Sequence, residues 1–77
     1  MDAYEYNGKF YDGRHGGPFD RGSADSYYGR PRRPHFFLDA TYQSDKITEE
    51  FMTEIQIEAY NAGYDWNESM SNHKSYA

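Results

Sequence analysis

The chain has no cysteine, no valine and one leucine. Each shortage excludes something. Without cysteine there is no disulfide to staple a small fold and no thiolate nucleophile or metal ligand. The three histidines, His15, His35 and His73, lie far apart and fit no metal-ligand spacing, so no metal site is expected. The N-terminus carries no apolar run, so neither a signal peptide nor a membrane span is expected, and the cytoplasm is the default location. Leu, Ile and Phe together make nine of 77 residues, about 12%, which is below the roughly 20% at which disorder becomes a serious prior.

Aromatic rings argue the other way. Nine Tyr, five Phe and one Trp make 19% of the sequence, and each ring buries a large area. A chain of 77 residues has room for one domain, so a small ring-built core with disordered ends is expected. Charge is uneven. The net value is -5, yet residues 1–38 hold six basic and five acidic groups while residues 39–77 hold two and eight. That asymmetry points to an oriented interface or to a solvated acidic helix face.

Ala3–Asp12 has aromatic-rich flanks around Asn7-Gly8, a dipeptide suited to a type I′ turn, and reads as a hairpin. An isolated hairpin is marginal and must pack on something. Gly13–Pro18 is a loop by composition. A two-turn helix follows at about residues 21–28, with Asp20 as N-cap, Phe19 stapled to Ala24, and Gly29 as left-handed cap. Arg30–His35 is an extended basic strip set by Pro31 and Pro34. His35–Leu38 is an apolar strand or core plug. Thr48 opens the clearest helix, about 48–62, whose apolar face is Phe51, Ile55, Ala59 and Ala62 and whose end is Gly63. The short helix must pack on the long one, with Gly22, Gly29 and Gly63 allowing close approach. Tyr60 and Tyr64 read as core, and Trp66 reads as either core or site.

No catalytic set is present. There is no Gly-x-Ser-x-Gly or phosphate-loop pattern, and Gly13–Gly17 lacks the strand–loop–helix setting of a phosphate site. Glu50, Glu54 and Glu58 share a helix face and read as a solvated one. The informative feature is the strip Arg30, Arg32 and Arg33, joined by Arg21 and Arg14. Guanidinium forks suit phosphates, and Tyr27, Tyr28, Phe36 and Phe37 flank them, a pattern that suits single-stranded nucleic acid. The competing reading pairs the arginines with the acidic second half, within the chain or across a dimer.

Arg21-Gly-Ser-Ala-Asp-Ser-Tyr-Tyr-Gly-Arg30, closed by Pro34-His35, resembles the first half of the ribosome modulation factor family. Glu58-Ala-Tyr-Asn-Ala-Gly-Tyr-Asp-Trp66 is similar to the aromatic-x-x-Gly-aromatic pattern of its second helix. The resemblance implies two short helices joined by an extended connection, and a protein that binds the small ribosomal subunit and holds ribosomes inactive. Phe19–His35 also resembles short tailed-phage proteins of unassigned function, which implies an accessory role in a bacterial cell.

The expectation is therefore a mainly α fold. It has helices at about 21–28 and 48–62 joined by the Pro/Arg segment, a hairpin at about 3–12, and a frayed C-terminal tail. The expected division is an arm or hairpin over 1–18, a small helical domain over 19–66 and a flexible tail over 67–77. The expected function is non-catalytic, without cofactor or small-molecule substrate, and directed at a ribosome or RNA. The partner-binding residues would be Arg21, Tyr28, Arg30, Arg32, Arg33, His35 and Trp66. The alternatives are inhibition of a host protein with a basic surface through Glu50, Glu54 and Glu58, or a structural role in an assembly.

Overall fold

The computed structural model describes residues 3–39 and 45–75. The outer ends of the expected arm and tail, residues 1–2 and 76–77, lie outside the described residues. The element order is β1 (Ala3–Tyr6), β2 (Lys9–Asp12), α1 (Pro18–Tyr27), β3 (His35–Phe37), β4 (Lys46–Thr48), a 3-10 turn (Glu49–Phe51) and α2 (Glu54–Ser69). Helix occupies 43% and strand 21% of the described residues, so the fold is α+β and not mainly α. The difference is the β3–β4 ribbon, whose second strand is too short for a periodicity to register.

The hairpin at the N-terminus forms as the sequence predicts. β1 pairs antiparallel with β2, with Tyr4 opposite Tyr11 and Tyr6 opposite Lys9. Asn7 and Gly8 take φ of 52° and 78°, the two left-handed positions that a type I′ turn requires.

α1 begins three residues earlier than expected. Gly17 is its N-cap and Pro18 occupies the first helical position, where a missing N–H costs nothing. Asp20 lies inside the first turn and accepts a hydrogen bond from the Gly16 N–H at 2.9 Å. Phe19 is therefore a helix residue and enters the core, and it does not act as a staple outside it. The C-terminus follows the prediction: Gly29 has φ 71°, its N–H donates to the Ser26 carbonyl, and the Arg30 N–H donates to the Asp25 carbonyl. Those two bonds are the Schellman pattern.

α2 departs further. It starts at Glu54, not near Thr48, because Thr53 and Gln56 form a reciprocal capping box. It runs through Gly63 to Ser69, so residues 67–69 are helical. The expected apolar face is split. Ala62 is buried, but Phe51 and Ile55 stand 76% and 79% exposed. The face that meets α1 carries Tyr60, Gly63 and Asn67, a helical spacing that a hydropathy pattern misses.

The helices cross backbone to backbone. A Cβ on Gly22 would sit 2.0 Å from the Tyr60 carbonyl oxygen, and one on Gly63 would sit 2.1 Å from the Phe19 carbonyl oxygen. Each helix thus lends a glycine to the other. Gly29, expected to share that role, has nothing near its missing Cβ and serves only as the cap.

The core has two chemistries. On one side, the ring of Phe19 stacks on Tyr4 and Tyr11 and lies 5.6 Å from Trp66, fastening the N-terminal hairpin to both helices. On the other, the buried polar residues Asp25, Ser26, His35 and Asn67 fill space that aliphatic side chains occupy in most domains. Among the described residues no helix is long and apolar enough to cross a membrane.

Candidate functional site

The β3–β4 ribbon supplies the floor of a groove. His35 pairs with Thr48 and Phe37 with Lys46, so these four side chains share one face, while Phe36 and Ile47 share the other. Phe36 is buried. The ribbon is held to the start of α1 by the Phe37 N–H, which donates to the Gly16 carbonyl, and by the Arg14 guanidinium, which donates to the Phe37 carbonyl at 2.9 Å. Arg14 therefore secures β3 and is not part of the basic strip.

The Arg30–Pro34 strip forms the facing wall and the 3-10 turn adds Glu49 and Glu50, enclosing about 730 Å³. That is room for a drug-sized ligand or a short polymer segment. Five of the chain's eight Lys and Arg side chains line it: Arg21, Arg30, Arg32, Arg33 and Lys46. Only three carboxylates do so, those of Asp25, Glu49 and Glu50. An acidic protein has gathered most of its positive charge at one place.

Beneath the groove lies Asp25, 4% exposed. Its carboxylate accepts from the Tyr60 hydroxyl and from Arg30 at 3.3 Å, with the Arg21 guanidinium at 4.0 Å. A buried carboxylate persists only when it is paired in this way. The Tyr60 oxygen also accepts the Arg33 N–H at 3.1 Å. Burial, and then the bond to Asp25, push the Tyr60 hydroxyl pKa well above its ordinary value.

His35 is neutral by geometry. Its Nδ1 lies 2.9 Å from the Arg33 carbonyl and donates to it, so its Nε2 is the acceptor for the Arg21 Nε–H at 3.2 Å. Burial lowers its pKa, and nearby Lys46 and Arg21 push in the same direction against Asp25 and the Arg33 carbonyl. Protonation would put a second donor on Nε2 and break the Arg21 bond.

The expected site residues therefore divide. Arg30 is tied to Asp25, its guanidinium lies 4.7 Å above the Tyr28 ring, and its carbonyl accepts from the Tyr64 hydroxyl. Arg32 is tied to Asp65 and Asn61 and lies over Tyr64, and the bond to Asp65 raises its pKa. Arg21 and His35 hold each other in the groove floor. Among the described residues, the side chains of Arg33 and Lys46 make no hydrogen bond or ion pair. Trp66 is elsewhere, packed against Tyr4 and Phe19 in the aromatic cluster. Tyr28 stands outside the groove, between Arg30 and Lys74.

The acidic set divides as well. Glu58 accepts from Lys9 and from the Tyr11 hydroxyl, clamping the N-terminal hairpin to α2. The bonds lower the Glu58 pKa, and the Glu58 bond, with burial behind it, pushes the Tyr11 hydroxyl up to about 12. Glu50 accepts from the Thr48 hydroxyl, which lowers its pKa. Glu54 sits exposed in the first turn of α2.

Lys46, Asp25 and Glu49 were not legible as site residues. Lys46-Ile-Thr48 is too short a run to mark the first, and Asp25 in a short helix looks like any solvated acid. Among the described residues no group of three His, Cys, Asp or Glu side chains is placed to hold a metal ion. Comparison with family models, with curated proteins and with solved structures finds no match.

Proposed function

We propose that this chain is a non-catalytic binding protein that takes single-stranded RNA in the groove between the Arg–Pro strip and the β3–β4 ribbon. One observation carries the reading: five of eight cationic side chains line one groove in a chain of net charge -5. Arg33 and Lys46 are the phosphate contacts, one on each wall. Arg30 and Arg32 contribute field and not contacts, since their forks are occupied by Asp25 and Asp65. Glu49 and Glu50 repel phosphate from the 3-10 turn, so the backbone lies against the Arg33 side of the groove.

Base readout is weak in this reading. His35 is 6% exposed and cannot stack on a base. Phe37 is, among the described residues, the one Phe, Tyr or Trp ring that lines the groove. Contacts to phosphate position a strand without reading its sequence. Ribosomal RNA is the RNA that the resemblance to ribosome modulation factors implies, and the cytoplasm is where such a ligand is met.

The test is anisotropy of a labelled single-stranded oligoribonucleotide titrated with the protein at several salt concentrations. Binding should weaken steeply with salt, and Arg33→Ala and Lys46→Ala should each flatten the log–log slope by about 0.7. Equal affinity in the double variant would sink the proposal. Sedimentation with ribosomes, run beside it, asks whether the RNA is ribosomal.

A further inference from the structure

His35 joins the Arg–Pro strip to α1 across the groove floor. It sits on β3, its ring packs against Phe37 and Tyr60, and only 8% of its side chain is exposed. Its Nδ1–H donates to the Arg33 carbonyl of the strip at 2.9 Å, and its Nε2 accepts from the Arg21 Nε–H of α1 at 3.2 Å. Building on the RNA reading, we infer that His35 is an acid-operated latch on Arg21: its protonation releases that guanidinium to a phosphate of the RNA in the groove.

The partners of Asp25 decide which side chain moves. A proton on the His35 Nε2 sets a second donor against the Arg21 Nε–H, and two cations then face each other in a buried place. The Arg33 carbonyl holds the ring still, because the Nδ1–H is present in both protonation states. Arg21 is the weakest of the Asp25 contacts, at 4.0 Å, whereas Arg30 lies at 3.3 Å and the Tyr60 hydroxyl donates directly. The His35 Nδ1 lies 3.7 Å from the oxygen that takes the Tyr60 bond. Once charged, His35 replaces Arg21 as a counter-ion, so Asp25 stays paired when Arg21 leaves. Arg21 already lines the groove, with its guanidinium 5.8 Å from the centre of the Phe37 ring.

The surroundings set the sign of the response. Burial lowers the His35 pKa; the Arg33 carbonyl and Asp25 oppose that, while Lys46 on β4 and Arg21 on α1 add to it. The latch is therefore shut at neutral pH and opens as pH falls below the ordinary value of 6.5. Arg30 and Tyr60 stay engaged with Asp25 in both states. Thr48, opposite His35 on β4, donates to Glu50, and Glu49 and Glu50 line the groove from the 3-10 turn. The Glu50 pKa is lowered, so this carboxylate stays ionised while His35 titrates. A phosphate beside Arg21 and Lys46 offsets their charge and raises the His35 pKa, so proton and RNA each tighten the binding of the other. His15 and His73 do not line the groove.

The probe is a labelled oligouridylate, whose bases do not titrate in this window, bound to the full-length protein and read by anisotropy. Between about pH 7.5 and about pH 5.5 the affinity should rise severalfold, and the log–log salt slope should steepen by about 0.7, one further phosphate contact. Arg21→Ala and His35→Gln should each abolish both changes. The glutamine amide can donate to the Arg33 carbonyl and accept from Arg21 without titrating. Circular dichroism at each pH checks that the variants are folded. The imidazole shifts of His35 in the unaltered protein, followed by NMR, give a second measurement that no folding defect obscures. Their titration midpoint should lie higher with RNA than without it. Affinity that is flat or falling on acidification would overturn the latch alone and leave the RNA reading standing. So would a rise that persists in folded Arg21→Ala, or a midpoint that RNA does not raise. Absence of binding at both pH values would remove the RNA reading, and the latch with it.

Discussion

The two antiparallel hairpins are attached to the same pair of helices by opposite chemistry. β1–β2 is fastened by rings, with Tyr4 and Tyr11 against Phe19 and Trp66 and an outer clamp from Lys9 and Tyr11 to Glu58. β3–β4 is fastened by hydrogen bonds and charge, through His35, Arg21, Asp25 and Tyr60. The contrast shows how a chain with one leucine and no valine acquires a core. Ring area replaces aliphatic area on one side, and a satisfied polar network replaces it on the other. Only the polar side borders the groove, so the side that orders the fold with charge is also the side that presents charge.

The comparison is broken most completely at the helix crossing. Gly22→Ala or Gly63→Ala pushes a methyl group into a backbone carbonyl that cannot step aside. Either should cost about 3 kcal/mol or more, near the whole stability of so small a domain, and both hairpins should lose order together. Urea melts followed by circular dichroism check this. Partial retention of one hairpin would show that the sides are less dependent on the crossing than the geometry indicates.

Next in size are two single-side changes. Trp66→Ala should cost about 2–4 kcal/mol and release β1–β2, seen as loss of the Tyr4 and Tyr11 shift dispersion with the β3–β4 amides little moved. Tyr60→Phe should cost about 1–3 kcal/mol and do the reverse, because Asp25 loses a donor and the Arg33 N–H loses its acceptor. If either variant disturbs both hairpins equally, the division is wrong.

The smallest effect is in pH. The folded pKa of His35 is below its ordinary value of 6.5, so folding favours its neutral form. Its contribution is fully present above pH 6.5 and is lost as pH falls from there through the folded value. Glu58, also lowered, gives up its contribution only as pH falls through the carboxylate range below 4.5. The urea midpoint should therefore drop in two separate steps on acidification, and His35→Gln should remove the upper one.

Much of the ring-fastened side was legible. Asn7-Gly8 between aromatic runs names its own turn, and the rings had no other core to join. The charged side was legible only in part. Gly29 marks the end of α1, but Asp25 and Asn67 break the apolar periodicity that reveals buried faces, so that periodicity points to Phe51, Ile55, Ala59 and Ala62 as the packed face of α2. Thr53-x-x-Gln56 spells a capping box, and weighing it against Thr48 places the start of α2 where it lies. Gly63 misled for a different reason: a glycine ends many helices, and only the partner helix shows that this one is needed for close contact. Lys46–Thr48 was missed because three residues cannot establish an alternation.

The Arg–Pro strip bears on rates. Its backbone is held by the Tyr64 hydroxyl at Arg30 and by the Tyr60 hydroxyl at Arg33, and its prolines fix two further torsions. A ligand entering the groove meets a wall already rigid, with only the outer reach of Arg33 left to settle. Little ordering accompanies capture, so in the RNA reading the encounter should be fast, and it should slow when a cation of the strip is removed, because those cations supply the field. Differences among ligands should then appear in residence time, as the lifetime of a few contacts against a surface that does not rearrange.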